Sequence, residues 1–452
     1  MAQVLPFQAF RYNPQRVSFE RVLTQPYDKI SPAMQDNYYA ADPHNLIAVE
    51  KGRAYPGDSP QNNVYTRAAK ALENWIRENV VVQDPVPSFY AYSQEYSVPG
   101  TGEKRVRRGF IGAGKLEDYS VGVVFRHEHT LSGPKADRLE LLRHTRTHTG
   151  QLFMLYSDPQ QRIDSILKEA ESAAPTTELS DEYGVVHRLW VIADPGRTIP
   201  IEKAMEEQKL VIADGHHRYE TALTYRNERR LHAGGLHPSA PYARASYDFA
   251  MMTFVNTCSE GLTILPTHRL AANLHDFSWG EARRYLEPWF EAKVFPFADD
   301  RQKAEVQNNF LAHLQQARPQ RAIGVYPSAE PGKRAYYVLT PRRGADLPQL
   351  LHGVSPLQRE LDVVLLHDGI LEPAFGITLQ AVTAERNLSY ERKPSAALDA
   401  VDDGSAQIAF LVNPVDVDQV MRIATAGEVM PQKSTDFYPK LLSGITMYRV
   451  EA

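Results

Sequence analysis

Cysteine is nearly missing from this chain of 452 residues, with Cys258 as the single example. That excludes an intrachain disulfide and a cysteine-built zinc site, and it fits a reducing compartment, so a cytoplasmic location is expected. No run approaches the roughly 18 apolar residues of a membrane span. The start, Met1 to Pro6, lacks a basic stretch followed by an apolar one, so neither membrane insertion nor export is expected. An excess of positive charge is missing too. Lys plus Arg number 50 against 55 Asp plus Glu, a net charge of −5, which disfavours a protein built mainly to coat nucleic acid or an anionic membrane. Low-complexity segments and internal repeats are not visible either.

What is present is an ordinary globular composition, 43% hydrophobic and 23% charged, on a chain long enough for two or three structural units. Strand and helix patterns alternate, which predicts an α/β fold of mixed α+β character. The first hundred residues contain strand-like Leu46 to Glu50 and Phe89 to Tyr96 and an amphipathic helix over Val64 to Glu78. Residues 105–125 read as strands, Asp137 to His148 as a helix, and Val185 to Ala193 and Phe249 to Val255 as strands. From about residue 275 the pattern restarts with helices near Glu281 to Glu287 and Arg301 to Arg318 and strands Ala322 to Tyr326 and Ala335 to Leu339. The expected division is 1–104, an N-terminal α/β segment packing on the core; 105–272, the core; and 273–452, a C-terminal α/β domain.

The densest chemistry lies at Lys209 to Arg218, where a short apolar strand runs into Asp214-Gly215-His216-His217-Arg218 as a helix begins. Tyr219, Ala222 and Leu223 follow at helical spacing. Amide N–H groups at a helix start carry partial positive charge, and an arginine fork grips phosphate, so Gly215, His216, His217 and Arg218 read as a phosphate cradle. The same residues also read as a simple N-cap, a turn glycine and satisfied imidazoles.

Three other segments compete for attention. Gly109 to Lys115 fits G-x-x-x-x-G-K, but Leu116 stands where a P-loop needs Ser or Thr for magnesium, and Arg107 and Arg108 precede it where an apolar strand should be. A glycine-containing strand is the better expectation. His127-Glu128-His129, with His144 and His148 at i,i+4 on the predicted helix, could suggest a metal site. Adjacent extended residues point to opposite faces, however, so no metal is expected, and Glu128 reads instead as a carboxylate that accepts a proton from a hydroxyl. Lys135, Asp137 and Arg138 could contact a nucleotide or an amino-acid zwitterion, or mark a solvated helix start. His268 and Arg269, and Lys433 in a polar loop near the C-terminus, could add cations to the same cleft.

With these residues in place, the chain resembles a large family of bacterial and archaeal proteins of poorly defined function whose hallmark is Asp-Gly-His-His-Arg-Tyr-Glu-Thr-Ala, here Asp214 to Ala222. Gln25-Pro26-Tyr27-Asp28, His127 to Thr130 with Lys135 to Arg138, Leu265 to Arg269, and Met430 to Lys440 resemble further signatures of that family. The central motif is similar to that of the free serine kinases of archaea and, more distantly, to the ParB/sulfiredoxin-like superfamily. The resemblance implies a ParB/sulfiredoxin-like nucleotide-binding core over 105–272, elaborated by additional α/β segments. It implies Glu128, Asp214 and His217 as catalytic residues, Gly215, His216, His217 and Arg218 around the phosphates of ATP or ADP with Mg2+, and His127, Thr130, Lys135, Asp137, Arg138, His268, Arg269 and Lys433 near the substrate. Sulfiredoxin chemistry is excluded by residue type, since His216 stands where that reaction needs a cysteine. DNA clamping is disfavoured by the negative charge and the lack of a helix-turn-helix after the motif.

The expectation is therefore a cytoplasmic phosphotransferase acting on the hydroxyl of a small metabolite such as free serine, with a homodimer allowed. Two rival readings are a nucleotide-sensing regulator without catalysis and a metal-dependent hydrolase.

Overall fold

Strands buried on both faces need helices or further chain on each side, and Phe249–Asn256, with every residue buried, is the centre of such an arrangement. The computed structural model describes residues 1–128, 133–232, 246–328, 334–383 and 387–450. It divides into two compact units, Met1–Thr263 with Phe437–Ala452, and Ile264–Asp436.

The first unit is built on a nine-stranded sheet. Its strands are β1 (Val4–Leu5), β2 (Phe89–Ser97), β3 (Lys104–Lys115), β4 (Val124–Phe125), β5 (Leu152–Tyr156), β6 (Thr177–Ser180), β7 (Val186–Ile192), β8 (Leu210–Asp214) and β9 (Phe249–Asn256). The order is β4-β8-β5-β9-β3-β2-β7-β6, with β1 added on β3. β4 runs parallel to β8, and β5 to β9, while the other ladders are antiparallel. The fold class is thus mixed α/β, as the alternating pattern predicts. Helices Arg162–Ala170, Pro195–Glu206 and His216–His232 bring Ile163, Leu167, Ile201, Met205, Tyr219 and Ala222 into one core with Phe110, Met154, Ile212 and Phe254 of the sheet.

Gly109 to Lys115 lies inside β3, as its failure to match a P-loop requires. Its glycines serve packing: a Cβ on Gly112 would stand 2.8 Å from the Phe89 ring. Two local expectations fail. Leu46 to Glu50 is not a strand, because Ile47–Glu50 is a short helix started by the Asn45 carboxamide, which accepts from the Ile47 amide at 2.9 Å. A local side-chain bond there outweighs β-branched propensity. The helix expected over Asp137 to His148 is Gly133–Thr145. It ends at Arg146, whose φ is 49°, and Thr147–His148 then pairs antiparallel with Tyr448–Arg449. His144 and His148 therefore do not share a helix face.

The second unit carries a six-stranded, wholly antiparallel sheet. Alternate residues face opposite sides: Ile323, Val325 and Phe410 pack into one core with Trp279, Leu365 and Ile370, while Tyr326, Ala409 and Leu411 pack into another with Phe310, Leu314 and Leu398. Among the described residues, no helix is long and apolar enough to cross a membrane.

Candidate functional site

Two neighbouring parallel strands end together in the first unit, and that coincidence builds the site. β4 and β8 pair with Val124 opposite Leu210 and Phe125 opposite Val211. Each chain then turns into a helix, the first through His127 and Glu128 to Gly133–Thr145, the second through Asp214 and Gly215 to His216–His232. Against β5 the register of β8 shifts between Ile212 and Asp214. Such an irregularity re-aims a side chain at a strand end, and here it falls at Ala213, two residues before the motif's glycine. Gly215 takes φ +94°, and a Cβ there would meet Arg218 Nη2, Nε and Cζ at 3.0–3.2 Å. The positive φ strains any side chain at this turn, and the guanidinium lying across it would have to give way to one.

The helix ladder begins with the Tyr219 amide bonding to the Gly215 carbonyl at 2.9 Å. The amides of His216, His217 and Arg218 precede it and face the turn with the positive end of the helix dipole. Arg218 Nη1 donates to the Gln151 carbonyl at 2.6 Å and Nη2 to Asp214 Oδ2 at 3.4 Å. Lys440 Nζ lies 3.7 Å from Asp214 Oδ1. Burial works to raise the Asp214 carboxyl, but the cations Lys440, Arg218 and Lys29 outweigh it and hold the group well below the usual carboxylate range. Asp214 is an anion at any physiological pH.

The two buried histidines are neutral. Burial lowers His127 to about 4 and, with help from the neighbouring His127, drives His216 well below its ordinary value. His127 Nδ1 lies 2.6 Å from the Ile212 carbonyl, which can only accept, so the proton is on Nδ1. The His127 amide in turn donates to His216 Nε2 at 3.5 Å, which leaves the His216 proton on Nδ1. The rings meet edge to face at 4.7 Å. His216 can therefore offer a hydrogen bond but not a charge, and the cations of the loop are Arg218, Lys440 and Lys29.

The other residues singled out by sequence lie on several elements of the two units. Arg138 donates to the Glu50 carbonyl at 2.8 Å and to Asp137 Oδ2 at 2.6 and 2.9 Å, and stacks over the Tyr27 ring at 4.3 Å. Lys135 is ion-paired with Glu220 of the motif helix. His127 is buried against His216, and Glu128 and His217 are half-buried at the two strand exits. His129 and Thr130 lie outside the described residues. His268, Arg269 and Lys433 belong to the second unit, where Arg269 is fully buried and donates to the carbonyls of Thr267, Gln432 and Lys433. Among the described residues no group of three or more His, Cys, Asp or Glu could hold a metal ion.

Sequence reasoning assigned no role to Lys440 or Lys29, and the signal was only that both sit in or beside signature segments. Lys440 is brought in by the returning C-terminal chain. Gln94 donates to its carbonyl at 2.8 Å, and buried Arg107 donates to the carbonyls of Tyr438 at 3.3 Å and Pro439 at 2.5 Å. Burial lowers Arg107 to about 10, so it remains a cation while it ties this segment to the sheet.

A family model described as protein of unknown function (DUF1015) matches residues 4–364. The chain belongs to this family. No curated protein matches it. Solved structures similar to this DUF1015 member include a free serine kinase in complex with AMP, at 11% identity and a TM-score of 0.34 over 73% of this chain and 88% of that one. SbnI with C-terminal truncation from Staphylococcus aureus is similar at 10% identity and a TM-score of 0.33, over 74% and 85%. A conserved hypothetical protein from Pyrococcus furiosus is similar at 12% identity and a TM-score of 0.30, over 72% and 91%.

Proposed function

We propose that this DUF1015 protein is a phosphotransferase that moves a phosphoryl group from ATP or ADP to the hydroxyl of a small metabolite such as free serine. The observation that carries the reading is the paired strand exit: a helix start with Arg218, Lys440 and Lys29 around it, beside a second exit that bears Glu128. In this reading the segment from β4 to the helix His216–His232 is a ParB/sulfiredoxin-like nucleotide site in a cytoplasmic enzyme. Terminal phosphates rest on the amides of His216 to Arg218, and Arg218 and Lys440 turn from Asp214 toward the transferring group. The His216 Nδ1–H adds a neutral donor. The acceptor oxygen bonds to phosphorus, the bond from phosphorus to the bridging oxygen breaks, the shortened nucleotide leaves, and the hydroxyl proton passes to Glu128. Such catalysis is positioning and charge stabilisation.

Magnesium would enter with the nucleotide. Asp214 is the ionised carboxylate of the loop but already faces Arg218 and Lys440, so the residues fit an ion ligated mainly by phosphates and water, with at most one or two protein carboxylates.

Calorimetry with ATP and ADP, followed by phosphorus NMR with serine and magnesium, tests the proposal. The expected result is nucleotide binding and a new phosphomonoester resonance. Nucleotide binding with no product from serine or other small hydroxyl compounds overturns transfer in favour of a sensor, a reading that Arg218, already bonded to Asp214 and Gln151, would suit. Absence of nucleotide binding overturns both.

A further inference from the structure

A cavity lies in the first unit, and its charge is unbalanced. It has a volume of about 170 Å3 and is lined by Tyr27, Lys51, Val64, Tyr65, Asp137 and Arg138 among others. That is several times the roughly 30 Å3 share of one water molecule, enough for a small metabolite. Asp137 and Arg138 pair with each other at 2.6 Å, and Tyr65 donates to the second Asp137 oxygen at 3.0 Å. Lys51 donates to the carbonyls of Tyr27 at 3.2 Å and Ile30 at 2.6 Å. Two of its three N–H donors are thus used, and among the described residues no carboxylate pairs with it. One acid and two bases line the cavity, so it carries a net positive charge. A half-buried ammonium without a counter-ion in a roomy cavity favours an anionic guest.

The cavity borders the motif through Tyr27. Arg138 stacks on that ring, and the Tyr27 phenol, raised by burial, also feels Arg218 and Asp214. The backbone carbonyl of Tyr27 is itself a partner of Lys51.

We propose that this cavity binds a small carboxylate, with the carboxylate on the third N–H of Lys51, and that it seats the acceptor of the phosphoryl transfer. The half-exposed carboxylate of Asp137 accepts from an ammonium or hydroxyl on the same ligand, and Tyr27 and Tyr65 wall it. The assignment as acceptor site rests on the phosphotransferase reading, whereas the affinity for a carboxylate does not.

Calorimetry on the full chain with glycerate, L-serine and ethanolamine separates the contributions. Glycerate and serine are expected to bind, and ethanolamine, which lacks a carboxylate, is not. Lys51→Met should weaken glycerate and serine about tenfold or more, the scale of one hydrogen bond to a charged group, with ATP affinity unchanged. Asp137→Asn should weaken serine more than glycerate. Should Lys51→Met fail to fold, Val64→Phe, which fills the cavity from its edge, must abolish carboxylate binding while the protein still binds ATP. Equal affinity for ethanolamine and serine, or carboxylate binding that survives both variants, overturns the pocket. Carboxylate binding without nucleotide binding leaves the pocket standing and removes the phosphotransferase reading. Nucleotide binding without carboxylate binding does the reverse.

Discussion

Two His-Arg segments, His216-His217-Arg218 in the first unit and His268-Arg269 in the second, look alike in the sequence and differ in what surrounds them. Arg269 is fully buried, with its donors taken by three backbone carbonyls and His367 Nε2 at 3.3 Å and its face on the Tyr390 ring. It is a tie within its own unit. Arg218 is half-buried, shares a carboxylate with Lys440, and lies across a glycine turn at the start of a helix. Its bond to Asp214 is long at 3.4 Å, so that partner can be exchanged for a phosphate while Nη1 keeps the Gln151 carbonyl at 2.6 Å. A cation marks a site where its partners can be exchanged, and marks architecture where they cannot.

The largest effect that would sharpen this contrast is expected at Glu128. Glu128→Gln should lower transfer roughly 10²- to 10⁴-fold, the usual contribution of a positioned base, with nucleotide affinity unchanged in calorimetry. Wild-type turnover would remove Glu128 from the proton path. Next comes Arg269→Leu, which strips buried donors from three carbonyls and should cost about 3 kcal/mol or more of stability, read as a lower denaturation midpoint with nucleotide affinity retained. A variant as stable as the parent would break the comparison at its architectural end. Arg218→Ala should behave oppositely. It should lose about 2–4 kcal/mol of transition-state stabilisation, as for one charge-assisting donor, with only about 1–2 kcal/mol of stability. If its transfer rate holds while its midpoint collapses, Arg218 is a tie like Arg269.

The sequence made β8, its glycine turn and the helix face of Tyr219, Ala222 and Leu223 legible, because a buried strand and a 3.6-residue period are local patterns. It showed β3 as a strand because one residue, Leu116, breaks the P-loop. It did not show that Lys440 would reach Asp214. That contact spans half of the chain and depends on Arg107 and Gln94 gripping the carbonyls of residues 438–440, bonds that any residue types at those positions could accept. It also hid the neutrality of His216, since the charge of a histidine is set by burial and by His127 across the strand pair, not by its neighbours in sequence. The misread of Leu46 to Glu50 came from the opposite cause, a single capping carboxamide stronger than the propensity of the apolar run.

The smallest effect compares the two units by acid. Burial lowers His127 in the first to about 4 and His268 in the second to about 3, whereas an unfolded histidine protonates near 6.5. The folded state is the one that excludes the proton, so this stability is complete above about pH 6.5 and declines as the pH falls, by about 1.4 kcal/mol per pH unit for each histidine. The decline attributable to His127 stops near pH 4, where the folded group takes up its own proton, and that of His268 continues toward pH 3. His268 has a visible reason to resist: Nδ1 accepts from the Val412 amide at 3.3 Å, and a proton there would set two donors against each other. His268→Asn retains an acceptor for that amide but cannot titrate. Guanidinium unfolding at about pH 7, 5.5 and 4 should therefore show the variant losing less stability on acidification than the parent, by roughly 1.4 kcal/mol per pH unit. Parallel slopes would mean that His268 keeps an ordinary affinity for protons despite its burial.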